Sequence, residues 1–177
     1  MSNPIRRQLD LLMNAYGYNL YEGKNRARAD DLIVRQAAAG ALGTAVNSLR
    51  TLRTEYRRRF IPNPTRDNPE PPRARLDDLS EMTRLQEQMA DLETRIRSMA
   101  VPVQDRAWEK FRKESQLLND LLMKDYNLIS PCKALEAQLR TISVESWNAE
   151  TVGQVQTAIG QIDDAIRARQ NLLQFTG

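Results

Sequence analysis

The chain of 177 residues contains no histidine and one cysteine, Cys132. Without imidazole there is no Ser-His-Asp or Cys-His catalysis, no histidine-bearing zinc site and no Glu-x-x-His pair of the kind that builds di-iron bundles. The commonest base for chemistry near neutral pH is missing with it, so enzymatic activity is not the first expectation. A lone cysteine cannot close an internal disulfide, which fits a reducing compartment, and a cytoplasmic location is expected. There is no run of eighteen apolar residues, so no transmembrane segment is expected. Near the N-terminus Leu9, Leu11, Leu12 and Met13 are interrupted by Gln8, Asp10 and Asn14, unlike the unbroken apolar stretch of a secretory leader, and classical export is not expected. A phosphate-cradling loop is also lacking. Gly40-x-x-Gly43 has neither the Gly-x-Gly-x-x-Gly spacing nor a closing Gly-Lys-Ser/Thr, and no strand precedes it. No cofactor and no metal site follow from any spacing in the chain.

What is present is helical periodicity. The composition, 41% apolar and 28% charged, suits one all-helical domain over residues 1–177. Met82, Leu85, Met89, Leu92, Ile96 and Met99 are spaced 3, 4, 3, 4, 3, and Trp108, Phe111, Leu118, Leu122 and Ile129 fall on a second seam interrupted by Ser115 and Asp125. Each pattern puts its apolar groups on one stripe that must be buried against another helix. Two arms of similar length, 76–100 and 105–129, joined across Val101-Pro102-Val103, predict a coiled-coil-like antiparallel hairpin over 76–129. Asp77 and Asp78 are expected in the first turn of the leading arm, and Asp105 as a cap of the returning one. Asp125, polar on an apolar seam, suggests pairing with a core-facing arginine that fixes register, or a wet helix end.

Before this hairpin a short helix is expected over 4–17 and a long one over 26–60, with Asn25 as its cap. The long helix carries the small-residue run Ala37 to Ala45, whose glycines suggest a close helix crossing or a kink. Residues 61–75 hold five of the eight prolines and read as an extended connector. Ser130-Pro131 looks like the start of a new short helix over 131–143. Cys132 would then sit in its first turn, where the dipole lowers a thiol pKa, but with no second cysteine or base it reads as a buried or incidental thiol. Asn148 is placed to cap a final helix over 149–174, with Val152, Val155, Ile159, Ile162 and Ile166 on its seam, Arg169 interrupting and Leu173 resuming. Gly153 and Gly160 near that seam suggest another close contact. The fold expected is an elongated antiparallel helical bundle of four long and two short helices. An elongated coiled coil completed by a second copy is the alternative, and self-association as a dimer goes with it.

Charge is uneven. Residues 1–60 carry 11 basic and 5 acidic side chains, and residues 76–100 carry 3 and 6. Arg50, Arg53, Arg57, Arg58 and Arg59 cluster at the end of the long helix, either as a solvated face that complements its dipole and pairs with the acidic helix at 76–95, or as a grip for phosphate, an acidic protein or an anionic lipid headgroup. Tyr16, Tyr18 and Tyr21 lie close together, either as a recognition surface or as rings packed over the bundle end. These eight residues are the candidate partner-binding set. Three functional classes follow. The first is a non-enzymatic protein-protein interaction protein, such as an adaptor, chaperone or assembly component. The second is an electrostatic binder of nucleic acid or anionic membrane through Arg50–Arg59, and the third an enzyme with a carboxylate or tyrosine site between helices. The first is preferred, with another protein as the partner.

Overall fold

The computed structural model describes residues 4–13, 19–21, 23, 27–61, 63 and 70–175. The described residues form six helices: α1 Pro4–Leu12, α2 Ala27–Phe60, α3 Arg73–Arg97, α4 Asp105–Lys113, α5 Ser115–Thr141 and α6 Ala149–Phe175. There is no strand among the described residues. Four helices are long and two short, which is the elongated all-α bundle expected, although the short ones are not both where the sequence puts them.

The leading seam lies in the core: Met82, Leu85, Met89 and Ile96 are wholly buried. Its helix begins earlier than expected, at Arg73, so the first turn carries no acidic residue and Asp77 and Asp78 fall in the second. The returning arm is not one helix. At Glu114 the backbone is extended (φ −97, ψ 103), ending α4 and starting α5, with no side-chain capping bond. Asp105 stands in the first turn of α4 behind Gln104 at the N-cap position, without the capping bond expected of it. The helix restart expected at Ser130 is also absent, because α5 runs through Pro131. The ring removes one backbone donor, but Leu128, Ile129, Cys132 and Leu135 on either side are wholly buried, and their packing carries the helix past it. At the last helix the cap is as expected: Asn148 Oδ1 accepts from the Thr151 N–H at 2.9 Å. Asn25, read as the cap of α2, lies outside the described residues.

The neighbours also differ from a simple hairpin. α3 packs on α2 and α6, and α5 packs on α2 and α6, while α3 and α5 have at most a marginal approach. The two seams therefore occupy opposite corners of the bundle, with 98–114 crossing its end between them. Arg53 meets Thr83 and Arg35 meets the Arg97 carbonyl, so α2 and α3 are antiparallel. Gln138 meets Gln154 and Asp125 meets Arg169, so α5 and α6 are antiparallel as well. α1 and α4 lie against α5. Close packing along α2 rests mainly on alanine, although at Gly43 the Glu93 side chain of α3 stands 3.4 Å from where a Cβ would be. Ala38, Ala39, Ala41 and Ala45 are buried, whereas a Cβ added at Gly40, Gly153 or Gly160 would meet nothing within 4 Å. The close contacts expected at those three glycines are not there.

Candidate functional site

Two regions concentrate polar chemistry, one at each end of the bundle. At the end formed by the start of α2, the start of α5 and the finish of α6, a set of charges is sealed inside. Arg169, the residue that interrupts the α6 seam, is 0% exposed. Its Nε donates to Asp125 Oδ1 at 2.7 Å and one terminal nitrogen donates to Asp31 Oδ1 at 2.8 Å. Asp31 also accepts from Arg35 Nε at 2.9 Å. Thus the polar interruption on α5 is the partner of the interruption on α6, as an arginine pairing with Asp125 requires. The backbones of α2 and α6 do not come close as neighbouring helices do, and the length of the arginine side chain spans that gap.

Tyr21 closes this cluster from the N-terminal side. Its hydroxyl donates to Asp125 Oδ2 at 2.9 Å, its backbone N–H donates to Asp30 Oδ2 at 2.6 Å, and its ring stacks on Trp108 with centroids 6.0 Å apart. The residue has φ 63, a left-handed backbone that a bulky side chain adopts only when its surroundings hold it there. Tyr21 is 1% exposed, so the ring offered by the sequence as a recognition aromatic belongs to the core. Tyr16 and Tyr18 lie outside the described residues.

Burial governs the ionisation of this cluster. It pushes the Tyr21 hydroxyl well above the ordinary tyrosine value, and the negative charge of Asp125 adds to the effect. It also raises the Asp125 carboxyl, against the opposing pull of Arg169. For Arg169 itself burial works the other way, but the surrounding aspartates and Tyr21 outweigh it and hold the guanidinium charged. Each charge is therefore matched by a neighbour and closed off from water, which is the arrangement of a structural network and leaves no open position for a substrate. Cys132 is wholly buried too, and burial lifts its thiol to about 12. With α5 continuous through Pro131, the residue has no helix N-terminus to lower that value. Among the described residues no group of three or more cysteine or carboxylate side chains is placed to hold a metal ion, and no helix is long and apolar enough to cross a membrane.

The opposite end contains the arginine cluster. Here the last turns of α2 meet the start of α3 through a compact lock: Tyr56 donates to Asp78, Arg75 donates to the Tyr56 hydroxyl at 2.8 Å, and the Arg75 guanidinium lies 4.4 Å over the Phe60 ring. Burial raises the Tyr56 hydroxyl, and its bond to Asp78 adds to this. The five candidate arginines do not act alike. Arg59 is paired with Glu145 and leans on Phe60. Arg53 is half-buried and donates to Thr83 Oγ1 at 3.1 Å. Arg50, Arg57 and Arg58 are exposed and make no ion pair among the described residues.

Arg53 and Arg57 come together on a groove of about 570 Å³ between α2 and α3, lined also by Thr54, Ile61, Asn63, Pro71, Leu76, Leu79 and Thr83. No acidic side chain among the described residues lines it. Grooves elsewhere along the described helices are different: one between α3 and α6 sets Arg84 and Arg95 among Glu87, Asp91 and Asp163, and two between α5 and α6 carry Lys124 with Asp164, or Glu150 without a cation.

No protein-family model matches the chain, and neither a curated protein nor a solved structure is found similar to it. The geometry alone therefore defines the class, an all-helical bundle with a buried charge cluster and a basic groove between α2 and α3. Of the residues that make these two regions, Asp30, Asp31, Arg35 and Arg75 drew no attention in the sequence. The i,i+4 spacing of Asp31 and Arg35 was the available signal. For the groove the signal was the arginine cluster that supplies Arg53 and Arg57; its α3 wall, Leu76, Leu79 and Thr83, is separated from them in sequence by the proline-rich connector.

Proposed function

We propose that the chain is a non-enzymatic interaction protein, an adaptor or assembly component, that docks a segment of another protein at the arginine-bearing end of α2 and α3. The observation that carries this reading is the groove in which Arg53 and Arg57 stand beside apolar side chains with no carboxylate among the described lining residues. Uncompensated guanidinium groups beside apolar side chains are a recognition surface, since they offer directional hydrogen bonds and a place to bury area together. The buried charges at the other end argue in the same direction. They are paired with one another and shut off from solvent, as in a structural network.

The test is site-specific photocrosslinking. A photoreactive residue replaces Leu76, which is 41% exposed on the groove, or Met123, which is 40% exposed on α5. In extracts of the native source the Leu76 probe should capture a discrete protein that the Met123 probe does not. Equal capture at both positions, or none at Leu76, overturns the reading.

A further inference from the structure

We infer that the segment held in the α2–α3 groove carries carboxylates next to apolar side chains, with Arg53 and Arg57 taking the acids and Ile61, Leu76 and Leu79 taking the apolar groups. This rests on the interaction reading above and adds the chemistry of the partner. The groove is built for an anion. Arg53 is anchored by a neutral acceptor, the Thr83 hydroxyl at 3.1 Å, which fixes the direction of the guanidinium and leaves its charge and most of its donors unspent. Arg57 is exposed beside it. Among the carboxylates close by in sequence, Asp78 is engaged with Tyr56 and Arg75, Glu81 with Arg84 and Gln156, and Glu55, Glu70 and Asp77 do not line the groove.

The start of α3 adds to the same field. Pro71 lines the groove, Pro72 occupies the N-cap position with no side-chain capping bond, and the first turn carries no acid, so the positive end of the helix dipole is uncompensated there. Outside the groove Arg50 and Arg58 extend the positive surface and would steer an acidic segment toward it.

The same residues disfavour other anions. A single-stranded nucleic acid needs free rings on which bases can stack. The rings described at this end are committed: Tyr56 and Trp147 are buried, and Phe60 is covered by the guanidinium groups of Arg75 and Arg59. A membrane surface needs apolar groups that protrude, whereas here they line a concavity. A free inorganic anion would leave the apolar floor wet. A peptide that alternates acid and apolar groups satisfies both parts, and a groove of about 570 Å³ is within the size of sites that enclose a few side chains.

The experiment is selection of short random peptides displayed on phage against the full chain, followed by fluorescence anisotropy with the selected peptides. The expected winners place aspartate or glutamate beside leucine, isoleucine or phenylalanine. They should lose about tenfold or more in affinity on Arg53→Gln/Arg57→Gln, a smaller factor on Leu76→Ser, and affinity should fall as salt is raised. Circular dichroism confirms that each variant is folded. Selected peptides that are neutral or basic, yet weakened by Leu76→Ser, overturn the acidic partner and leave the docking function standing. Peptides indifferent to both sets of variants overturn the groove altogether. Phosphatidylserine vesicles and a single-stranded oligonucleotide serve as parallel probes. Binding of either one that depends on Arg53 and Arg57, with no peptide selected, overturns both readings in favour of a lipid or nucleic-acid surface.

Discussion

Replacing Arg169 with methionine keeps most of the side chain's length and removes its charge, leaving Asp125 and Asp31 buried with 0% exposure. In the intact protein the guanidinium meets the two carboxylates at 2.7 and 2.8 Å. At an effective dielectric constant near 20 each such pair is worth about 4 kcal/mol of attraction. Against this stands a desolvation penalty of several kcal/mol for every buried ion, so the complete cluster is close to balance. Removing the arginine alone deletes the attraction and keeps the penalty. Asp31 retains Arg35, but Asp125 is left with only the Tyr21 hydroxyl. The expected loss is about 3–5 kcal/mol, a large part of a domain stability that is typically about 5–15 kcal/mol. Urea unfolding followed by circular dichroism measures it through the midpoint and slope. The loss should depend on pH. Asp125 is already raised above the ordinary 3.8 by burial, and without Arg169 it rises further. A carboxyl raised in the folded state contributes stability below its unfolded value that is lost as pH climbs through the folded one. The deficit should therefore narrow as pH falls from neutral toward the ordinary carboxyl value of 3.8. The double replacement Arg169→Met/Asp125→Leu, which leaves no orphaned carboxylate on α5, should recover much of it. A deficit below about 1 kcal/mol, or one independent of pH, would refute the view that this cluster is sealed from water.

Three further outcomes are expected. Gly40→Ala, Gly153→Ala and Gly160→Ala, at helix positions where an added Cβ meets nothing within 4 Å, should each stabilise the protein by about 0.5–1 kcal/mol; a lowered urea midpoint in any of them contradicts the open space seen there. Tyr21→Phe should cost about 1–2 kcal/mol near neutral pH by removing the hydroxyl donor to Asp125. Because the folded value of Tyr21 lies above the ordinary 10.0, the parent loses stability as pH rises past that point, and the variant should show a shallower alkaline decline in melting temperature, with Tyr56 supplying part of what remains. Cys132, buried with its thiol at about 12, should resist iodoacetamide in the native protein at mildly alkaline pH and react fully in urea; rapid native alkylation would show that α5 opens near Pro131.

How far the sequence can be read is clearest at Asp125 and Arg169. Both stand on apolar seams, and a charge on a buried stripe needs a partner, so their roles follow from spacing and electrostatics. Tyr21 does not follow, because its place depends on a left-handed backbone and on Trp108 arriving from another part of the chain. The break at Glu114 lies in Lys113-Glu114-Ser115, which has no glycine or proline to announce it. Pro131, which looks like a boundary, is overridden by the packing on both sides. Periodicity identifies the face that a helix buries but not the helix that it meets, which is why seams of matched length suggested one hairpin and turned out to occupy opposite corners. The groove joins the last turns of α2 to the first turns of α3, and only the folded backbone brings its cations and apolar groups together.

The diagonal placement of α3 and α5 bears on the order in which the chain assembles. The antiparallel pairs α2–α3 and α5–α6 are each close in sequence, so each can form from local contacts, and the crossing segment 98–114 then brings one pair onto the other. Asp125 and Arg169 belong to the second pair and can find each other early. Asp31 belongs to the first and reaches Arg169 only when the pairs have docked in register. The third member of the charge cluster thus reports completed assembly. Asp31→Asn is expected to speed unfolding with little effect on the folding rate, whereas disruption at Asp125 should slow folding, a distinction that stopped-flow kinetics can read.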